Sequence, residues 1–110
     1  MTLFSTEDIK RCGAKKICQK AFKIASDGTE GIHVSFDIDL IDPSIAPGVS
    51  VPAKNGININ ETYAIIDEII DYKKIIKSID IVEFNPLRDI NDKTKNIAQT
   101  IYNKLINNIK

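Results

Sequence analysis

The sequence predicts an α/β domain built on a parallel sheet, with its elements in the order α-β-loop-α-β-α. Three observations carry this prediction. Two runs, residues 32–39 and 78–84, are rich in β-branched and apolar side chains, as buried strands are. Segments with apolar residues at helical spacing flank and separate them. Between the first strand and the next helix, residues 40–59 hold three of the four prolines and follow neither period.

The elements follow in order. Ser5-Thr6-Glu7-Asp8 resembles a helix start, with a capping hydroxyl and an acid three residues later. Ile9, Cys12, Ile17, Ala21 and Ile24 then recur at mostly helical spacing, which predicts one helix ending at the turn cluster 26–31. Residues 32–39 form the first strand and end in acids. The loop at 40–59 is long for a compact domain, and long loops are often functional. Asn60 is positioned to cap a second helix with Tyr63, Ile66 and Ile70 on one face. The second strand, 78–84, closes on Asn85-Pro86. Asn91 is positioned to cap a last helix carrying Ile97, Ile101, Leu105 and Ile109.

Bulk properties narrow the function classes. Of the 110 residues, 43% are hydrophobic and 27% charged, which fits one folded unit rather than a disordered chain. Fifteen basic residues balance fifteen acidic ones, so no field of one sign favours nucleic acid or a membrane surface. Apolar runs are too short for a transmembrane helix, and the N-terminus turns acidic too early for a secretory signal. Cys12 and Cys18 are spaced C-x₅-C, which matches no metal or redox pattern, so they read as reduced cysteines of a cytoplasmic chain.

Carboxylates gather at the predicted strand ends. Asp37 and Asp39 are two residues apart, and residues two apart on a strand share a face. Glu83 closes the second strand in the same way. Ligands of open α/β sheets bind beyond the carboxyl ends of the strands. Three carboxylates there form an acidic cluster if the two strands are neighbours, and a hard cation relieves their repulsion. The plainer alternative is a polar strand end feeding a turn, and spacing alone leaves both open. Asp42 before Pro43 reads as a turn-former. His33, the only histidine, lies about 13 Å from Asp37 along an extended strand. It reads as a core or helix-facing residue rather than a ligand, and that position argues against any Ser-His-Asp grouping.

Two blocks carry a family resemblance. Ser35-Phe36-Asp37-Ile38-Asp39, Ile41-Asp42-Pro43, Ala46-Pro47-Gly48-Val49, Pro52 and Gly56 together resemble the arginase (ureohydrolase) signature S-x-D-x-D-x-x-D-P…A-P-G-x-x-x-P…G-G. Asp80-Ile81-Val82-Glu83-Phe84-Asn85-Pro86 resembles the family's D-x-x-E-[VF]-N-P block, with Glu83 44 positions beyond Asp39. The resemblance spans nearly the whole chain. It implies the C-terminal part of a three-layer, parallel-sheet, arginase-like fold, with residues 1–110 forming a partial ureohydrolase domain.

The resemblance further implies that Asp37 and Asp39 are carboxylate ligands of a pair of Mn²⁺ ions. Glu83 falls where arginases place a carboxylate that receives the substrate guanidinium. The implied reaction is hydrolysis of L-arginine to L-ornithine and urea, in a complete protein that is a homo-oligomer, a trimer in the family. The Asn-Pro after Glu83 favours arginase over agmatine-cleaving relatives, which more often carry serine there. Leu40 departs from the small residue usual after the second aspartate. Asn60 departs from an arginine, beside the glutamate matching Glu61, that often serves subunit contacts. The family's G-G-D-H and D-A-H-x-D blocks, which supply its other ligands, do not occur in the 110 residues. Two readings compete with a portion of an arginase: a non-catalytic binding remnant, and a ureohydrolase acting on agmatine. The chain alone is expected to be inactive and marginally stable, because two strands without sheet neighbours leave exposed edges.

Overall fold

A computed structural model describes residues 2–109. Its elements are α1 (Thr6–Cys12), α2 (Ala14–Ser26), β1 (Ile32–Asp37), α3 (Ile59–Asp71), β2 (Ile76–Val82) and α4 (Lys93–Ile109), with single 3-10 turns at Ile38–Leu40 and Pro86–Arg88. The two strands pair in parallel, with Val34 beside Ile79, Phe36 beside Ile81 and Asp37 beside Val82. The predicted order and parallel sheet are therefore present.

Residues alternate across the sheet. Val34, Phe36, Ile79 and Ile81 join the apolar core with Ile66 of α3 and Ile101 of α4, both fully buried. His33, Ser35, Asp37, Ser78 and Asp80 alternate with them on the opposite face and are exposed. A bulge at Lys77 sets this alternation, because Ile32 pairs with Ile76 and His33 with Ser78. Phe22 of α2 stacks on Tyr72 at the end of α3, with ring centroids 4.4 Å apart.

Four details differ from the sequence prediction. The first helix is two, broken at Gly13, whose φ of +93° no helix can accommodate. Ser5 does cap α1, in a capping box with Asp8. Helix α3 is capped by Asn58, not Asn60: Asn58 accepts from the Glu61 amide, and the Glu61 carboxylate accepts from the Asn58 amide. Helix α4 is capped by Asp89, not Asn91. The Asp89 carboxylate accepts from the amides of Thr94 and Lys95, while Asn91 has a left-handed φ of +52°. Finally, β2 begins two residues earlier than predicted and ends before Glu83.

Candidate functional site at the strand ends

The carboxyl ends of β1 and β2 lie side by side, so the condition set by the sequence is met. Strand β1 ends at Asp37, which is paired with Val82, and Glu83 is the first residue after β2. Asp39 is not on the strand. It lies in the 3-10 turn Ile38–Leu40, which corrects the argument from strand alternation. Asp37 and Asp39 nonetheless line one open cleft of about 580 Å³, together with Ser35, Leu40, Gly56 and Thr6. A tight turn rather than the strand's period brings the two carboxylates together. Glu83 is not among the residues lining that cleft; it is exposed at the neighbouring strand end.

The loop 41–58 is pinned beneath this pair. Ile41 and Ile57 form a parallel bridge: the Asp42 amide donates to the Ile57 carbonyl at 3.0 Å and the Ile57 amide to the Leu40 carbonyl at 2.9 Å. The Asp42 carboxylate accepts from the Ser44 amide, the Ser44 hydroxyl and the Gly56 amide at 2.9, 2.7 and 3.1 Å. Asp42 is thus the turn-former that Asp-Pro predicts, and it also fastens the far end of the loop. Leu40, despite its size, fits half-buried against the core.

Charge at the site is unbalanced. Burial pushes the Asp39 carboxyl above the usual carboxylate range, and the neighbouring Asp37 charge pushes it further. Removing one carboxylate charge, or adding a cation, relieves that repulsion. The donor set is two carboxylates, which suits a hard divalent ion. Among the described residues no group of three or more His, Cys, Asp or Glu side chains is placed to hold a metal ion. The pair fits part of such a site and does not form a closed one.

Asp42 behaves in the opposite way. The hydrogen bond from the Ser44 hydroxyl, then those from the Ser44 and Gly56 amides, hold its carboxyl below the ordinary range. A depressed folded value means that the stabilisation is complete above the ordinary aspartate value, near 3.9. It is lost as pH falls from there through the folded value. Unfolding midpoints measured from pH 6 to 2 are expected to drop in this window, and Asp42→Asn is expected to flatten that part of the profile. An unchanged profile in the variant counts against this account of the loop.

His33 is not a core or helix-facing residue. It lies on the open sheet face, where its Nδ1 is 2.6 Å from Ser78 Oγ and its Nε2 is 3.3 Å from Asp80 Oδ2. Its alternation with Ser35 and Asp37 could have revealed this. The structure thus brings together the Ser-His-Asp trio that the sequence argued against. It is not a hydrolytic triad: Ser78 is mid-strand, where backbone N–H groups lie in the sheet plane and none converges on the position of an oxyanion. The sequence reading also missed the hydrogen bonds behind Glu83. Val49 and Phe84 form an antiparallel bridge, and the Asn85 amide donates to the Gly48 carbonyl at 2.7 Å. The Gly48 amide in turn donates to the buried Thr94 hydroxyl at 2.8 Å.

Comparison with known proteins agrees with this layout. Residues 1–107 match the Arginase family. The chain is 30% identical to the arginase of Bacillus caldovelox over 94% of its own length and 34% of the relative's. It is 44% identical to the arginase of Plasmodium berghei over 70% of its length and 22% of the relative's. The crystal structure of Bacillus subtilis arginase superposes with a TM-score of 0.87 at 31% identity, over 96% of this chain and 37% of that one. Entamoeba histolytica arginase, solved with L-ornithine, gives 0.81 at 34% identity over 94% and 34%. The agmatine ureohydrolase of Thermoplasma volcanium gives 0.78 at 28% identity over 96% and 33%. The chain therefore spans about a third or less of the relatives it matches. Its parallel sheet, its strand-end carboxylates and a match over nearly its full length agree: the chain belongs to the arginase family.

Proposed function

We propose that these 110 residues are the part of an arginase-type hydrolase that presents two metal carboxylates, Asp37 and Asp39, and a guanidinium carboxylate, Glu83. The whole protein, on this reading, hydrolyses L-arginine to L-ornithine and urea with two Mn²⁺ ions. The observation that carries it is the convergence of Asp37 and Asp39 on one cleft, with Glu83 at the adjacent strand end, in a chain of this family.

Each residue has a physical task. Asp37 and Asp39 offer oxygen donors whose mutual repulsion a divalent ion relieves. When bound, paired manganese ions would lower the pKa of a water and hold it as a nucleophile. Glu83 pairs with a planar guanidinium through two parallel hydrogen bonds, orienting the carbon to be attacked. The relative solved with L-ornithine supports an amino-acid product. The likeness to an agmatine ureohydrolase keeps a second substrate in view, and Asn85-Pro86 after Glu83 favours arginine.

Manganese titration of the purified chain, followed by the electron-spin resonance of the free ion, tests the metal assignment. Weak binding is expected, and Asp39→Asn is expected to abolish it. Equal binding by the variant removes Asp39 from the site. In-frame G-G-D-H and D-A-H-x-D blocks in the upstream coding sequence would complete the donor set, and a start codon preceded by non-coding sequence would favour a binding remnant. With those blocks present, urea release from arginine against agmatine decides the substrate.

A further inference from the structure

Glu83 stands in an unusual backbone conformation. Four described non-glycine residues have positive φ: Asn55, Glu83, Asn91 and Asp92. Asparagine and aspartate tolerate the left-handed region because their short side chains bond locally. Glutamate has no such compensation, yet Glu83 sits at φ +70°. A residue held in a sparsely populated region persists only where its surroundings over-determine it.

The surroundings identify what holds it. Asn85, two residues on, makes three hydrogen bonds besides the one its carbonyl accepts from the Arg88 amide. Its amide donates to the Gly48 carbonyl at 2.7 Å, its Nδ2 donates to Ser50 Oγ at 3.1 Å, and its Oδ1 accepts from the Leu87 amide at 3.0 Å. The first two tie the segment after β2 to the loop segment 48–50, in line with the Val49–Phe84 bridge. The third closes the turn into Pro86–Arg88. The loop segment is itself held, because the Gly48 amide donates to the buried Thr94 hydroxyl at 2.8 Å, in packing so close that a β-carbon on Gly48 would lie 3.0 Å from the Thr94 side chain. The chain is therefore anchored on both sides of Glu83, by β2 before it and by Asn85 after it. A left-handed residue between those anchors turns the backbone from one to the other.

We propose that Asn85 is the positioning residue of Glu83: its hydrogen bonds to the loop segment 48–50 and to the following turn impose the left-handed conformation that sets where the Glu83 carboxylate points. The importance of that direction rests on the guanidinium role proposed for Glu83, whereas the coupling between the two residues does not. Asn85 touches no reacting atom and acts through Glu83 alone.

The experiment is nuclear magnetic resonance of the isotopically labelled 110-residue chain. A left-handed residue brings its own amide and α hydrogens close, so Glu83 is expected to show a strong intraresidue cross-peak. Asn85→Ala is expected to lose that cross-peak and to speed exchange of the backbone amide at position 85 about tenfold, as loss of roughly one net hydrogen bond does. Asn85→Asp still accepts from Leu87 and from the Ser50 hydroxyl, and is expected to retain the cross-peak. Ser50→Ala removes only one arm and is expected to weaken it. Glycine accepts positive φ without strain, so Glu83→Gly combined with Asn85→Ala is expected to regain the turn, read as restored slow exchange of the amide at position 85. Ile69→Val, which loosens the core elsewhere, is expected to leave the Glu83 cross-peak intact and so separates positioning from general stability. A weak cross-peak in the wild-type chain, or a strong one in Asn85→Ala, overturns the proposal. Guanidinium titration of the same samples stands apart: no response at Glu83 with these cross-peaks as expected sinks its substrate role and leaves the positioning intact.

Discussion

In manganese-supplemented buffer the purified 110-residue chain is expected to release no urea from L-arginine above the uncatalysed background. Enzymes of ordinary efficiency accelerate their reactions by about 10⁶-fold or more, and the whole of that factor is expected to be missing. The reason is the donor set. A hard divalent ion takes roughly six donors in a fixed arrangement, and activation of water depends on that arrangement. Asp37 and Asp39 supply two carboxylates, and no group of three metal-binding side chains forms among the described residues. The single imidazole cannot help. His33 is about 13 Å from Asp37 along the strand, and both its ring nitrogens face Ser78 and Asp80. A colorimetric urea assay decides the matter, and turnover that Asp39→Asn abolishes would refute it.

Much of this architecture is legible in the residues, and the exceptions have physical causes. The strands were visible because β-branched runs broken by turn residues have few other readings. The break at Gly13 was not, because one glycine inside a helical period is ordinarily tolerated. Asn58 and Asn60 are both good caps, and only the glutamate three residues after Asn58 separates them. Asp89 caps α4 from four residues before it, over a turn with two left-handed residues, Asn91 and Asp92, that no periodicity displays. Asp37 and Asp39 were found by their spacing, but for a reason that does not hold, since a 3-10 turn joins them. Glu83 is visible as a strand-end carboxylate and its motif implies a role, while its backbone conformation depends on the loop segment 48–50, more than thirty residues away in sequence. Local patterns show which residues gather at the strand ends, and long-range contacts set how they are aimed.

Gly56→Ala is expected to be among the most damaging single substitutions in the chain. A β-carbon there would run into the Asp42 amide nitrogen, and would lie 2.6 Å from the Asp42 Cα and 2.7 Å from the Ile41 carbonyl carbon. These are backbone atoms that no side-chain rotation can clear, so the two segments must part. Overpacking of this kind costs about 1–3 kcal/mol. Parting them also weakens three hydrogen bonds: Asp42 amide to Ile57 carbonyl, Ile57 amide to Leu40 carbonyl, and Gly56 amide to the Asp42 carboxylate. The two backbone bonds contribute about 1 kcal/mol each net, which with the overpacking brings the expected loss to roughly 3–5 kcal/mol. That is a large share of the ~5–15 kcal/mol by which folded domains are ordinarily stable. The same shift bears on the proposed metal carboxylates, because Leu40 and Ile41 follow Asp39 directly and Gly56 lines its cleft. Urea denaturation is expected to show the lowered midpoint, and manganese titration a weakened response although no carboxylate was changed. A variant with wild-type stability would mean that loop 41–58 can part from the turn after β1 without cost, and that it does not hold the two aspartates in place.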